Sequence, residues 1–143
     1  MHIPGHLAVA ALQHELLARS SRRGLGWLLT AALFPDIVDK AIGYIFHAMP
    51  NGRHYAHNIF SLLGLSALAG MVGGRVAGRA WLAGYLGHLL VDSRTMLPWF
   101  FPLKRYPFKQ GRMKFEPVPL LKETGFLLLV LLFIRRRRSK HCH

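Results

Sequence analysis

Long uncharged stretches alternate with short basic clusters along this chain. Residues Ala56–Gly74 contain no Asp, Glu, Lys or Arg over nineteen positions, close to the roughly 20 that a helix needs to cross a bilayer. Shorter uncharged runs are Gly24–Pro35, Ala41–Gly52, Ala80–Val91 and Thr124–Ile134. Between them stand Arg19, Arg22 and Arg23; Arg75 and Arg79; Lys104 through Lys114; and Arg135–Arg138 with Lys140. Cations that flank apolar helices fix helix ends at the headgroup level. The pattern predicts an all-α, polytopic integral membrane bundle of four to five helices.

The first predicted helix covers Pro4–Ala18, with Pro4 suited to a first turn. The second runs from Leu25 to Met49 and is bent or interrupted at Pro35. Met49-Pro50-Asn51-Gly52 is a turn signal. The third covers His54–Val76, its end loosened by Gly73, Gly74 and Gly78, and the fourth covers Arg79–Leu97 and stops at Pro98. In Trp99–Pro119, aromatic Trp99, Phe100, Phe101, Tyr106, Phe108 and Phe115 interleave with Lys104, Arg105, Lys109, Arg112 and Lys114. That mixture suits an interfacial connection on anionic headgroups. Stacking on nucleic acid is the competing reading, but no polar domain accompanies it, so anionic membrane lipids are the expected partners and nucleic acid is not. The fifth segment, Leu120–Ile134, is short for a full span. Residues 1–134 are thus expected to form one membrane-embedded domain, with 99–119 as its interfacial connection and 135–143 as a basic tail.

Composition narrows the class further. The 143 residues carry 19 Lys and Arg against 6 Asp and Glu, a formal charge of +13, yet 52% are hydrophobic. A disordered polycation would not hold so large an apolar fraction. Cys142 has no partner within the chain, which excludes an internal disulfide scaffold. The N-terminal segment lacks the basic n-region of a signal peptide and is expected to belong to the fold.

Ionisable residues inside apolar stretches are costly and mark function in a membrane protein. His88 and Asp92 are four apart, on one face of the fourth helix; they can bind a metal together or merely satisfy each other. Asp36 and Asp39 follow Pro35, where the plain alternative is helix capping for Asp36 and pairing with Lys40 or solvent for Asp39. His54 and His57 are three apart at the expected start of the third helix, which would put both rings on one side. His6 opens the first helix. Threading the helices alternately across a bilayer brings His6, Asp36, His57, His88 and Asp92 into the same half of it, which independent structural histidines have no reason to do.

Three His and two Asp, with Asp39 and His54 as optional additions, suit one or two divalent metal ions, zinc first and manganese or iron as alternatives. Without a metal, such a cluster would bury several carboxylates unpaired. Two metals can activate water and stabilise a departing oxygen in phosphoester hydrolysis. Arg53 and Arg94 lie beside the cluster in sequence, where each can clamp a phosphate or anchor to headgroups.

The pattern resembles the YdjM-like family of small membrane-bound, metal-dependent hydrolases. The resemblance rests on His6, Pro35-Asp36-Ile37-Val38-Asp39, the segment from Arg53 to His57, and Gly84 to Ser93 with Thr95, and spans roughly Met1–Leu103. The order of His, Asp, His and then His-x-x-x-Asp is also similar to the ligand order of bacterial zinc-dependent phospholipase C. That likeness implies a first metal on His57, His88 and Asp92, a second on His6 and a bridging Asp92, and Asp36 binding metal or orienting the attacking water.

The expected activity is therefore hydrolysis of a phosphoester, of a lipid reaching the site from within the leaflet, with Asp36, Arg53 and Arg94 as catalytic candidates. The rivals are a non-catalytic metal-binding or partner-binding membrane protein and a membrane-bound nuclease. A bacterial inner membrane location is expected. Arg19, Arg22, Arg23, Arg75, Arg79, Arg135–Arg138 and Lys140 outnumber Arg53 and the six cations between Lys104 and Lys122. The positive-inside rule then places the C-terminal tail in the cytoplasm and the site towards the outer leaflet.

Overall fold

The computed structural model describes residues 2–17, 22–93, 96–111 and 116–139. They form helices α1 (Ile3–Leu17), α2 (Arg22–Lys40), α3 (Ile59–Asp92) and α4 (Pro117–Ser139), and among the described residues there is no strand.

Of the bend or interruption expected at Pro35, the interruption does not occur. Helix α2 runs through Pro35 to Lys40 and then widens into one π-helical turn, Ala41–Ile45, ending short of Met49. Proline removes a backbone donor and presses on the carbonyls of the preceding turn. In that turn the Ala32 carbonyl accepts the His88 ring Nδ1 at 2.7 Å, which ties His88 to α2 beside the proline.

The predicted third and fourth helices form α3, which folds back on itself at Gly74. Gly74 has φ 78° and ψ −178°, a conformation open to glycine and strained for other residues. Around it Gly70 and Gly78 meet: a Cβ on Gly78 would lie 2.9 Å from the Gly70 Cα. Arms 59–73 and 75–92 are therefore antiparallel. At their far end the His57 and His88 rings touch, with Nε2 atoms 3.1 Å apart.

The third helix starts later than expected. Asn58 is its N-cap, accepting the Ser61 N–H at 2.9 Å, so His54 and His57 lie in a bent segment ahead of the helix. Asn is a strong N-cap residue, and a buried carboxylate described below captures the backbone donors that a helical turn would need.

Aromatic rings and small residues join α2 to the second arm of α3. Trp81 packs edge-on against Trp27 and Phe34, with centroids 6.0 and 5.6 Å apart, and Leu28, Leu62, Tyr85 and Leu89 are buried around them. Helix α1 leaves the His6 end, α2 returns to it, the first arm of α3 leaves and the second returns. The connection 96–111 lies over this end. Ile59 N–H bonds to the Trp99 carbonyl at 3.0 Å, Gly111 N–H to the Pro50 carbonyl at 2.9 Å, and the Asn51 amide to the Lys109 carbonyl at 3.2 Å.

Two helices are long and apolar enough to cross a membrane, Ile59–Asp92 and Pro117–Arg137, with mean hydropathies of 1.6 and 1.9. Because α3 reverses at Gly74, it supplies two passes of about 22 and 27 Å instead of one long rod. Helix α4 is longer than the segment anticipated from Leu120 to Ile134. It continues through Arg135–Arg137, since arginine is a good helix former and is favoured at a helix C-terminus. Its window of 21 residues reaches about 32 Å, enough for the hydrocarbon core. Helix α4 packs along α1 and exposes Leu121, Leu128, Leu129, Leu131 and Leu132, a surface suited to lipid.

Candidate metal centre

Asp39, fully buried, organises the segment after α2. Its carboxylate accepts the backbone N–H groups of His54 at 2.6 Å, Ala56 at 2.9 Å and His57 at 3.2 Å, and also holds the His57 ring Nδ1 at 2.8 Å. With its oxygens so engaged, Asp39 stands behind the cluster as a support for His57. This arrangement replaces the expected helical start at His54: one carboxylate takes three backbone donors of a single bent segment.

His57 and His88 are both turned inward by what holds their Nδ1 atoms. The partner of His57 Nδ1 is a carboxylate and that of His88 Nδ1 is the Ala32 carbonyl. Neither partner donates a proton, so both Nδ1 atoms carry the hydrogen and both Nε2 atoms present lone pairs to the interior. Those lone pairs face each other at 3.1 Å. Two acceptors at that distance repel unless a cation, proton or metal lies between them. Burial opposes a proton on His57, yet the Asp36 and Asp39 carboxylates outweigh it and raise its pKa above the ordinary histidine value.

His6 completes the inner wall. Its ring stacks on His88 with centroids 4.0 Å apart, and Nε2 lies 3.6 Å from Asp92 Oδ1 and 3.8 Å from Asp36 Oδ2. Among the described residues neither ring nitrogen has a hydrogen-bond partner, although the side chain is buried. A buried polar atom left in that state costs about 1–3 kcal/mol, which a metal ion between the carboxylates would remove.

His6, Asp36, His88 and Asp92 each offer one ligand atom, and the four atoms lie within 4.8 Å of one another. His57 Nε2 lies beside this group, 3.6 Å from Asp36 Oδ1 and 3.9 Å from Asp92 Oδ2. A tetrahedral ion with bonds of about 2.0–2.1 Å has ligand edges near about 3.4 Å, so the group would contract around a metal, by up to about 1.4 Å between its most distant atoms. Two imidazoles and two carboxylates suit zinc, manganese or iron. All four residues are at most 4% exposed.

Residues 1–142 match the YdjM inner membrane protein family. The chain belongs to that family. No curated protein and no solved structure matches it. The YdjM assignment agrees with the two apolar helices and places this helical protein in the inner membrane, with a buried His and Asp group that could hold a metal ion.

The remaining candidates of this YdjM protein fall outside that group. His54 is buried with neither ring nitrogen hydrogen-bonded among the described residues, its ring against Phe108 and Phe101 at 4.3 and 6.3 Å between centroids. Its backbone N–H, not its ring, serves the site, through Asp39. Arg53 reaches in from a partly exposed position and its Nη2 lies 2.9 Å from Asp92 Oδ2. Arg94 lies outside the described residues. One participant escaped the sequence reading: Lys40 Nζ is 2.6 Å from Asp36 Oδ2. The signal was present, since the two are four apart on α2, but Asp39 is adjacent to Lys40 in the chain and was the expected partner.

Proposed function

We propose that this YdjM-family protein is a membrane-bound, metal-dependent hydrolase that cleaves a phosphoester of a lipid or lipid-like substrate. The observation that carries the reading is the pair of inward lone pairs on His57 and His88 beside the orphaned His6 and two buried carboxylates. Such a constellation can accept a metal cation. His6, Asp36, His88 and Asp92, with His57 alongside, would hold one or two divalent ions, zinc first and manganese or iron as alternatives. A bound ion would supply Lewis acidity towards a phosphoryl oxygen and lower the pKa of a water.

The chain's own groups supply the rest. Asp39 and the Ala32 carbonyl fix the tautomers and ring planes of His57 and His88, as outer partners of metal-binding histidines do. Asp36, with one oxygen on Lys40, has the other facing the histidines and serves as the group that orients water and takes its proton. Arg53, and Arg94 after it, would bind phosphate oxygens. The hydrocarbon-facing surfaces of α3 and α4 fit a substrate that arrives from within the leaflet. By the positive-inside rule the tail and the Gly74 turn face the cytoplasm and the site faces the outer leaflet.

The near-complete burial of all four group members favours a second reading, a closed, non-catalytic metal site. One experiment separates the two. Detergent-purified protein, its His88→Ala and Asp92→Ala variants are assayed for metal content and for hydrolysis of short-chain phospholipid and of an oligonucleotide. Metal lost in both variants together with metal-dependent lipid cleavage supports the hydrolase. Stoichiometric metal without turnover supports the closed site, and cleavage of the oligonucleotide alone would transfer the activity to nucleic acid. Absence of metal after reconstitution would overturn both metal readings.

A further inference from the structure

Two side-chain cations reach the buried carboxylates from outside. Lys40 Nζ bonds to Asp36 Oδ2 at 2.6 Å and Arg53 Nη2 to Asp92 Oδ2 at 2.9 Å, with Lys40 and Arg53 side chains 38% and 30% exposed. They come from different elements, Lys40 from the last turn of α2 and Arg53 from the bent segment ahead of α3. The elements are in contact, since a Cβ on Gly52 would lie 3.0 Å from the Lys40 Cγ. Each cation takes one oxygen of its carboxylate, so each Asp keeps its other oxygen towards the histidines. The inner side of the site is histidine and the outer rim is cationic.

The charge of the loaded site bears on what it would accept. Asp36, Asp39 and Asp92 face the positive charges of Lys40 and Arg53. A divalent ion would add two positive charges to this set, and a second ion two more. An uncompensated charge in a buried site is expensive. From this we infer that Lys40 and Arg53 form the two jaws of an anion clamp over the metal centre, selective for a phosphoryl group. An anionic phosphodiester would offset the charge of the ion, and its two non-bridging oxygens would give one acceptor to the metal and one to the jaws. Arginine contributes a planar fork for paired oxygens and lysine a movable point charge. The inference rests on the metal-centre reading above and adds to it Lys40, together with Arg53, as a group that holds the anionic ligand.

The test uses the full-length protein in detergent, loaded with zinc, with inorganic phosphate as the probe in calorimetric titrations. Wild type is compared with Lys40→Met, Arg53→Met and the conservative Lys40→Arg, and acetate is titrated in parallel. Charge-assisted hydrogen bonds of this kind predict that each Met variant loses about tenfold or more in phosphate affinity. Lys40→Arg should stay within about threefold of wild type, and acetate should bind more weakly than phosphate. Because the jaws compete with the ion for Asp36 and Asp92, zinc affinity in the Met variants should be unchanged or higher, a result that misfolding would not give. A second arm replaces phosphate with short-chain phosphatidate in mixed micelles. Tighter binding there assigns the clamp to a lipid headgroup, and equal binding assigns it to free phosphate. Wild type that loads zinc but binds phosphate no better than both Met variants would overturn the clamp and leave the metal centre standing. Wild type that takes up no zinc would overturn the clamp and the metal centre together.

Discussion

Glu123 of α4 caps the start of α1 at His2. Its Oε2 accepts the backbone N–H of His2 at 2.8 Å and of Gly5 at 3.3 Å, and Oε1 lies 3.4 Å from the His2 ring Nδ1. Helix α1 has no acidic residue in its own first turn, so a carboxylate from another helix satisfies donors that every helix N-terminus leaves open. His6 sits one turn further on, its N–H on the His2 carbonyl at 3.4 Å. Unlike His57 and His88, its ring has no hydrogen bond among the described residues. The backbone clamp at Glu123 fixes the turn that carries it.

Glu123→Ala should therefore weaken metal binding without removing a ligand. We expect a loss of about tenfold or more, the range seen for outer partners of metal ligands, and an altered visible spectrum of the cobalt-loaded protein. Glu123→Gln keeps an oxygen acceptor for the backbone and should lose less. Equal affinities and spectra in all three proteins would show that α4 has no part in the site.

Asp39→Asn tests the carboxylate that shapes the bent segment. The amide keeps one acceptor oxygen but turns an NH2 group towards donors that the carboxylate now satisfies. Unpairing a buried charged hydrogen-bond centre of this type costs about 3–5 kcal/mol. We expect a clear fall in thermal stability in detergent and a weakened metal site, because His57 loses its fixed tautomer. His54→Ala, which keeps the backbone N–H on Asp39, should leave metal affinity nearly unchanged. Loss of metal in His54→Ala would return that ring to the ligand set.

The contrast between Asp39 and His88 shows what could be read from the chain. His88 and Asp92 were legible because helical spacing alone puts them on one face, and alternate threading carried them to the end that holds His6 and Asp36. The hairpin at Gly74 was legible in outline from paired glycines. The setting of His54 and His57 was not, because it depends on a carboxylate fifteen residues upstream from His54 that draws backbone donors away from a helix. Pro35 left a choice between a bend and a break that the local sequence could not make, and the turn before it is tied to His88, more than fifty residues away. Lys40 was hidden by the choice between Asp36 and Asp39, which spacing leaves open and packing decides.

Topology offers a third check. Helix α4 begins beside His2, at the metal-centre end, and packs along α1, which leaves that end. Its C-terminus and the Gly74 turn therefore share the opposite side. Single cysteines placed at Val72 and Ser139 in a Cys142→Ser background should be labelled by impermeant reagents from the same face of the membrane, and one at Lys104 from the other. With the tail cytoplasmic, intact cells should label only Lys104→Cys. Labelling of Val72→Cys and Ser139→Cys from opposite faces would mean that α4 does not cross.

Acidity should act on metal binding and on metal-free stability in opposite directions, through His57. Its pKa lies above the ordinary value of 6.5 because the Asp36 and Asp39 carboxylates outweigh burial. Metal uptake must displace the proton that otherwise separates the two Nε2 lone pairs, so affinity should be full above the His57 pKa. Below it, affinity should fall by about tenfold per pH unit as the proton competes. The metal-free protein behaves the other way. A raised pKa contributes stability that is fully present below about 6.5 and is lost as pH rises through the higher folded value. Zinc titrations across this interval, paired with thermal unfolding of metal-free protein at the same pH values, should show the two curves crossing. Asp39→Asn removes a carboxylate that raises the pKa and should move both midpoints to lower pH. If both remain in place, His57 is not the group that exchanges its proton for the metal.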